Sequence, residues 1–264
     1  MISTATLLTF LATIATGVIV GILSALFGIG GGVVMIPIIR LIFSRTAVVS
    51  SATSLFAIFP TSVTGVISRH KEGNTNYKVG AVIGVAGALT SPLGASLGSS
   101  LPGIYAMVIT AVVIVFTAVK QILDAKRLGD KGDNYRNTNK IPAQYQYLAV
   151  AALGLFIGVF SGYLGLGGGF IVVPLLSYLL GMNIKEASAT SLVAIVILGL
   201  PGVITHAFYG NIDYLLGISF IIGSIPGAKL GSLIVKKVSN RGLTIAFAIV
   251  LMLAGVALAI NELL

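Results

Sequence analysis

Long stretches without charge constrain this chain more than any other feature of its sequence. Seven runs contain no Asp, Glu, Lys or Arg, and they cover residues 1–39, 46–68, 79–119, 141–184, 187–212, 214–228 and 242–261. Most are long enough to supply the roughly 20 apolar residues with which a helix crosses a bilayer. Charged residues make up 9% of the 264 residues, whereas soluble proteins carry about 25%. We therefore predict a polytopic membrane protein.

The apolar runs predict helices, because their hydrophobicity is continuous and does not alternate as in the strands of a membrane barrel. Each half of the chain contains five apolar pieces. They cover residues 5–27, 31–43, 47–68, 78–99 and 103–122 in the first half, and 145–164, 168–181, 187–207, 214–234 and 243–261 in the second. The predicted fold is all-α, with about 8 to 10 membrane segments.

The two halves repeat one another at an offset of 137 residues. The offset aligns Gly28–Gly32 with Gly165–Gly169, Pro37 with Pro174, and Ser51–Leu55 with Ser188–Leu192. Shared apolar composition alone would not keep Gly, Pro and Ser in register. We predict two homologous helical repeats, residues 1–123 and 144–264, joined by a basic, solvated linker over 124–143.

The distribution of basic residues bears on whether the short piece after each glycine segment crosses the membrane. If it crosses, the halves are inverted, and thirteen Lys and Arg lie on the linker side against two, Arg40 and Arg45, on the other. If it only dips into the membrane, the halves are parallel and the numbers are nine and six. The positive-inside rule favours the inverted arrangement with a cytoplasmic linker.

Several classes of function are disfavoured by composition. The net charge is +9, but the basic residues lie between apolar runs. A nucleic-acid binder gathers them on a groove-facing surface with aromatic partners, so we expect no nucleic-acid partner. The chain has no Cys and two His, and it shows neither a hydrolase motif nor a metal-binding pattern. We expect a non-enzyme without cofactor or metal, whose surroundings are the lipid bilayer.

The glycine segments are the strongest candidates for a binding site. A Gly-x-Gly-Gly-Gly break leaves backbone N–H groups unpaired, and the helix that follows directs further N–H groups and partial positive charge into the break. Two such breaks can face each other near the midplane, as the broken helices of transporters do. The alternative is that the glycines only permit close helix packing. The predicted anion-binding glycines are Gly30, Gly31, Gly32, Gly167, Gly168 and Gly169, and the predicted break and hinge positions are Gly28, Gly165, Pro37, Pro174 and Pro226.

Polar residues in the helices that follow provide further candidates. The hydroxyls of Ser51, Thr53, Ser54, Ser188, Thr190 and Ser191 could bind the same anion, or could cap or back-bond their own helices. Lys229 lies within an apolar run, where an ionisable residue suggests function, although it could also extend to the interface. His206 is the candidate titrating group. The alternative is an ordinary histidine at the edge of a loop, without a role in transport.

These motifs resemble the sulfite exporter TauE/SafE family, also called the TSUP permeases. The resemblance lies in two copies of Gly-x-Gly-Gly-Gly-x-x-x-x-Pro, each followed by Ser-Ala-Thr-Ser-Leu and Gly-Asn-x-x-Tyr. It implies seven or eight spans built from a duplicated four-helix unit. It also implies transport of sulfite, thiosulfate or small organosulfonates such as sulfoacetate across the prokaryotic inner membrane.

The resulting functional hypothesis is a secondary transporter of a small sulfur-containing anion that works by alternating access. An uncoupled carrier would favour export, because each negative charge that leaves the cell gains about 2.3 kcal/mol per 100 mV. The alternatives are an anion channel, a carrier of another small carboxylate or inorganic anion, and a membrane scaffold. The sequence leaves open the anion, the coupling ion, for which a proton is one candidate, and whether the chain forms a homo-oligomer.

Overall fold

A computed structural model describes residues 4–100, 102–131 and 141–263 of the chain. The described residues form ten α-helices, two short 3-10 turns at His70–Glu72 and Ala143–Tyr145, and no strand. The helices are α1 (Thr4–Phe27), α2 (Gly32–Leu41), α3 (Ala47–Arg69), α4 (Tyr77–Ser100), α5 (Gly103–Lys131), α6 (Gln146–Leu164), α7 (Gly169–Leu180), α8 (Ile184–Phe208), α9 (Tyr214–Val235) and α10 (Asn240–Leu263).

The prediction of an all-helical polytopic membrane protein is confirmed. Seven of the described helices are long and apolar enough to cross a membrane, and α2, α7 and the apolar part of α5 are shorter. Large apolar side chains cover the outer surface, including Leu89, Phe116 and Leu253, whose exposed fractions are 72%, 69% and 67%. Such a surface is suited to lipid and not to water.

Helix α5 extends into the first part of the predicted linker. Helix α5 continues to Lys131 and so includes residues 124–131, which were assigned to the linker. The segment is polar, but Ala, Lys, Arg and Leu are good helix formers, so the helix extends beyond its apolar part. Residues 132–140 of the predicted linker lie outside the described residues.

Helices α3 and α8 form the centre of the molecule and run antiparallel. Gly65, near the end of α3, lies against Leu192, near the start of α8. Leu55, near the start of α3, lies against Gly199 and Gly202 towards the end of α8. The two helices occupy matching positions in the two halves of the sequence, so their opposite directions support the predicted inverted repeat.

Two pairs of helices with close backbone contact flank this centre. Helix α1 runs along α9, where a Cβ atom added to Gly21 would lie 2.7 Å from the Cα atom of Ser224. Helix α4 runs along α6, where a Cβ atom on Gly158 would lie 2.6 Å from the Cα atom of Gly87. Small residues at such contacts let membrane helices approach closely. The packing interpretation of glycine therefore applies to these helices.

Hydrogen bonds between the halves recur at the 137-residue offset. The amide of Asp213 donates to Thr53 Oγ1 at 2.9 Å, and the amide of Asn76 donates to Thr190 Oγ1 at 3.0 Å. Asn76 and Asp213 are themselves 137 residues apart, as are Thr53 and Thr190. This exchange of partners is a second observation that supports an inverted repeat.

The loops define two ends of the molecule. The Gly73 end contains residues 70–76 and 181–183, with a cavity of about 830 Å³ lined by residues that include Gly73, Asn76, Asn183 and Glu186. The Gly210 end contains residues 42–46 and 209–213, with a smaller cavity of about 360 Å³. An ion pair of 2.8 Å between Arg45 and Asp213 joins the two loops of the Gly210 end.

Candidate functional site

The two glycine segments interrupt helices at the predicted positions. Helix α1 ends at Phe27 and α2 begins at Gly32, whereas α6 ends at Leu164 and α7 begins at Gly169. Three glycines in each break have left-handed backbone conformation, which side chains other than glycine rarely adopt. They are Gly28, Gly30 and Gly31, with φ of 68°, 72° and 93°, and Gly165, Gly167 and Gly168, with φ of 68°, 71° and 74°.

The structure brings the two breaks into contact at the centre of the molecule. A Cβ atom on Gly32 would lie 2.8 Å from the Cα atom of Leu166, in the other break. Gly30 and Gly167 both face Ile58 and Ile195. Ile58 is the twelfth of the 23 residues of α3, so the breaks meet near the middle of the spanning helices.

The backbone amides of the two breaks have no hydrogen-bond partner in the described part of the chain. In the first break, Val34 and Met35 donate to the carbonyl of Gly31, and in the second, Ile171 and Val172 donate to that of Gly168. Among the described residues, no partner accepts from the amides of residues 29–33 or 166–170, and all of these residues are buried. Buried amides are nearly always paired, so these amides are available to a ligand.

Three buried serine hydroxyls adjoin the breaks and were not singled out from the sequence. The Cβ atom of Ser24 would lie 3.6 Å from a Cβ atom on Gly31, and Ser161 has the same relation to Gly168. Ser62 Oγ would lie 3.2 Å from a Cβ atom on Gly30. None of the three hydroxyls has a partner among the described residues. Ser24 and Ser161 are 137 residues apart, a signal already present in the repeat.

The predicted serines at the starts of α3 and α8 connect each break to the opposite half. Ser51 Oγ donates to the carbonyl of Leu164 at 3.0 Å, and Ser191 Oγ donates to that of Gly28 at 2.8 Å. Ser188 Oγ donates to Lys185 and accepts from Arg69. Ser54 Oγ is buried without a partner among the described residues. Of these four hydroxyls, therefore, Ser54 is the one left available to a ligand.

The other predicted binding residues lie away from the free amides or are already bonded. Thr53 and Thr190 accept the loop amides described above. Lys229 is exposed on the outer surface of α9, as is Pro226, because the opposite face of α9 packs on α1. His206 is buried, and its Nε2 lies 3.2 Å from the carbonyl of Gly162, one turn before the second break.

The predicted hinge prolines lie inside continuous helices. Pro37 is a residue of α2, Pro174 of α7 and Pro226 of α9. Pro37 and Pro174 are buried near the starts of the two helices that follow the breaks. Their role as hinges stays a prediction.

Comparison with known proteins identifies the family. The family model described as Sulfite exporter TauE/SafE matches residues 13–258. The chain belongs to this family. The expected TauE/SafE resemblance is thereby confirmed, and with the seven candidate spans it establishes a multi-pass protein of the cell membrane.

Relatives of this TauE/SafE protein are named as transporters. The probable membrane transporter protein YunE of Bacillus subtilis is 26% identical over 94% of this chain and 96% of its own length. A probable membrane transporter protein of Methanocaldococcus jannaschii is 28% identical over 92% of each chain. One of Xylella fastidiosa is 23% identical over 89% and 88%. No solved structure matches the chain. These names support membrane transport as the general function.

Proposed function

We propose that this protein is a secondary carrier that binds a small sulfur-containing anion, such as sulfite, thiosulfate or an organosulfonate, between the two glycine breaks. The observation that carries the proposal is the set of buried amides at residues 29–33 and 166–170, for which the described residues provide no acceptor. The family description, Sulfite exporter TauE/SafE, supports the choice of sulfur anion.

An oxyanion would accept hydrogen bonds from the backbone amides of the breaks that have no acceptor among the described residues. Each buried polar group without a partner costs about 1–3 kcal/mol, and a bond to a charged group is worth more than a neutral one. The N-termini of α2 and α7 add partial positive charge from two helices. The buried hydroxyls of Ser24, Ser161 and Ser62 can donate to the same ligand, and the apolar side chains of Ile58 and Ile195 exclude water around it.

The burial of the site favours a carrier over a channel. Residues 28–32 and 165–169 are all buried, so an anion bound there would be occluded and would need a conformational change to leave. Inverted repeats provide such a change when one half moves against the other. A channel would use the same amides but would conduct without a closing step, which predicts flux that does not saturate.

The proposed direction of transport is export. We place the Gly73 end in the cytoplasm, because this end contains Lys71, Lys78 and Lys185 and the positive-inside rule assigns such loops there. A dianion that leaves without a coupling ion gains about 4.6 kcal/mol per 100 mV. Export of this kind needs no proton or sodium gradient.

The test is anion flux into or out of liposomes that contain the purified protein, under an imposed membrane potential. The panel is sulfite, thiosulfate, sulfate, sulfoacetate, acetate and chloride. We expect saturable flux, driven by the potential and restricted to the sulfur anions. No flux of any anion, with or without a proton or sodium gradient, would refute the proposal.

Two serine variants test the site itself. Ser24→Ala and Ser161→Ala each remove a hydroxyl that has no partner within the described ranges, so folding stability should stay the same or rise. The anion dissociation constant should increase about tenfold, the equivalent of one hydrogen bond to a charged group. Ser191→Ala is the matched control, because its hydroxyl bonds the carbonyl of Gly28 and its loss should lower stability. Unchanged anion affinity in both test variants would remove the site from between the breaks.

A further inference from the structure

The Gly73 end contains a buried cation that the proposed binding site does not use. Arg69, the last residue of α3, is 1% exposed, and it is the one buried side chain among the Lys and Arg residues whose burial the structure describes. Desolvated cations inside membrane proteins are rare and are usually found on the paths of ions and substrates.

The hydrogen bonds of Arg69 hold three helices together. Its guanidinium donates to the carbonyl of Ala25 in α1 at 3.3 Å, and to Ser188 Oγ and the carbonyl of Lys185 in α8 at 2.7 and 2.8 Å. Ser188 in turn packs on Gly28, the first residue of the first break. Arg69 is thus one residue removed from the break.

Residues that neighbour the hydrogen-bond partners of Arg69 in the sequence line the cavity at the Gly73 end. Its hydrogen-bond partner Lys185 lies between Asn183 and Glu186, both of which line the 830 Å³ cavity. Its other partner, Glu72, precedes Gly73, which lines the same cavity. Through Lys185 and Ser188, Arg69 therefore connects the neighbourhood of this cavity to the first break.

Glu72 already presents an anion to this guanidinium. Glu72 Oε2 accepts from Arg69 Nε at 3.2 Å, and the carboxylate is only 7% exposed. Its other oxygen, Oε1, has no partner among the described residues. The carboxylate therefore binds Arg69 through one oxygen only, whereas an arginine can bind both oxygens of a carboxylate at once. A small oxyanion has the same recognition chemistry and could replace it.

The opposite end of the molecule lacks this pair. The residues 137 positions after Arg69 and Glu72 are His206 and Tyr209. His206 retains the equivalent of one Arg69 bond, to Gly162 in place of Ala25. It has no carboxylate beside it at the position of Glu72. The repeat is therefore asymmetric in charge at its two ends.

We propose that Arg69 is a second anion-binding residue, which takes up the transported anion between the Gly73-end cavity and the glycine breaks, and that Glu72 is its internal competitor. When no anion is present, Glu72 neutralises Arg69 and the contacts to α1 and α8 keep this end closed. An arriving anion displaces the carboxylate and Ser188 and so opens the way to the break. This inference rests on the proposed function, because it requires an anionic substrate.

The test compares two substitutions that should act in opposite directions. Glu72→Gln keeps an acceptor for Arg69 but removes the competing charge, so the KM for thiosulfate flux should fall severalfold. Arg69→Gln removes the positive charge, so the KM should rise about tenfold or more. Arg69→Lys should recover part of the loss. A purely structural ion pair predicts instead that both Gln variants impair flux together.

The Arg45–Asp213 ion pair at the Gly210 end provides the control. Asp213→Asn removes the charge from an ion pair that is more exposed, at 50% and 17%, and keeps an acceptor for the helix-capping bond to Leu216. It should leave the KM unchanged. KM shifts in the same direction for Glu72→Gln and Arg69→Gln, or no shift in either folded variant, would overturn the inference. If Ser24→Ala weakens anion binding while the Glu72 and Arg69 variants leave the KM unchanged, the proposed function stands and this inference falls. Absence of anion flux and binding in the unsubstituted protein would overturn both.

Discussion

Replacement of Gly28 with alanine is the perturbation whose effect the structure defines most closely. Gly28 has φ of 68°, and an added Cβ atom would lie 2.5 Å from the Cα atom of Ser188, where carbon atoms normally stay about 3.5–4.0 Å apart. Helix α8 would have to move by about 1 Å or more to remove the overlap. That movement would separate the first break from the helix on which it rests.

The chain offers a matched control for the backbone contribution. Gly73 has φ of 69°, but an added Cβ atom would meet nothing within 4 Å. Gly73→Ala should therefore cost only the left-handed strain of about 1–2 kcal/mol. Gly28→Ala should cost that amount and a further 1–3 kcal/mol or so from overpacking. The difference between the two variants isolates the packing of the break.

Two measurements on the same purified proteins test this reasoning. Chemical unfolding in detergent gives the difference in the free energy of unfolding, and liposome flux gives the transport rate. We expect Gly73→Ala to transport nearly normally and Gly28→Ala to lose about tenfold or more, in line with 1–3 kcal/mol lost at the site. Equal stability and equal flux in the two variants would refute the conclusion that the break requires contact with Ser188.

Three further outcomes follow from individual contacts. Thr190→Val leaves the amide of Asn76 without its acceptor. In an unfolding titration, stability should fall by about 1–2 kcal/mol, while the anion dissociation constant stays the same. A change in anion affinity without a change in stability would place Thr190 at the binding site. Lys229→Gln lies on the exposed face of α9 and should leave the KM for flux unaltered, whereas a raised KM would return Lys229 to the substrate path. Ile195→Ala opens a cavity beside Gly167 and should destabilise the protein by about 2–5 kcal/mol in the same titration; a loss below 1 kcal/mol or so would show that the centre is loosely packed.

The predictions from the sequence agree best with the structure for features that depend on a single segment, which are the helices and the glycine breaks. Continuous apolar runs predicted ten helices, and the observed ends mostly lie within a few residues of the prediction. Gly28 to Gly32 and Gly165 to Gly169 predicted two breaks, because runs of glycine permit the left-handed backbone that ends one helix before another begins. Helix α5 extends past its apolar piece because residues 124–131 are polar yet favourable to helix. Polarity distinguishes membrane from water but does not distinguish helix from loop.

The sequence determined the helices, the two breaks and the family, since each follows from periodicity, turn chemistry or motifs within one segment. Which helix faces meet depends on the tertiary structure. In the folded protein, the glycine break of each half packs against α3 or α8 of the other half. Lys229 faces outwards, Thr53 and Thr190 accept hydrogen bonds from loop amides, and Arg69 is buried. These outcomes depend on packing between segments far apart in the chain. A local pattern specifies that a face will be buried, but the partner that covers it depends on the shape and hydrogen-bonding needs of the whole fold.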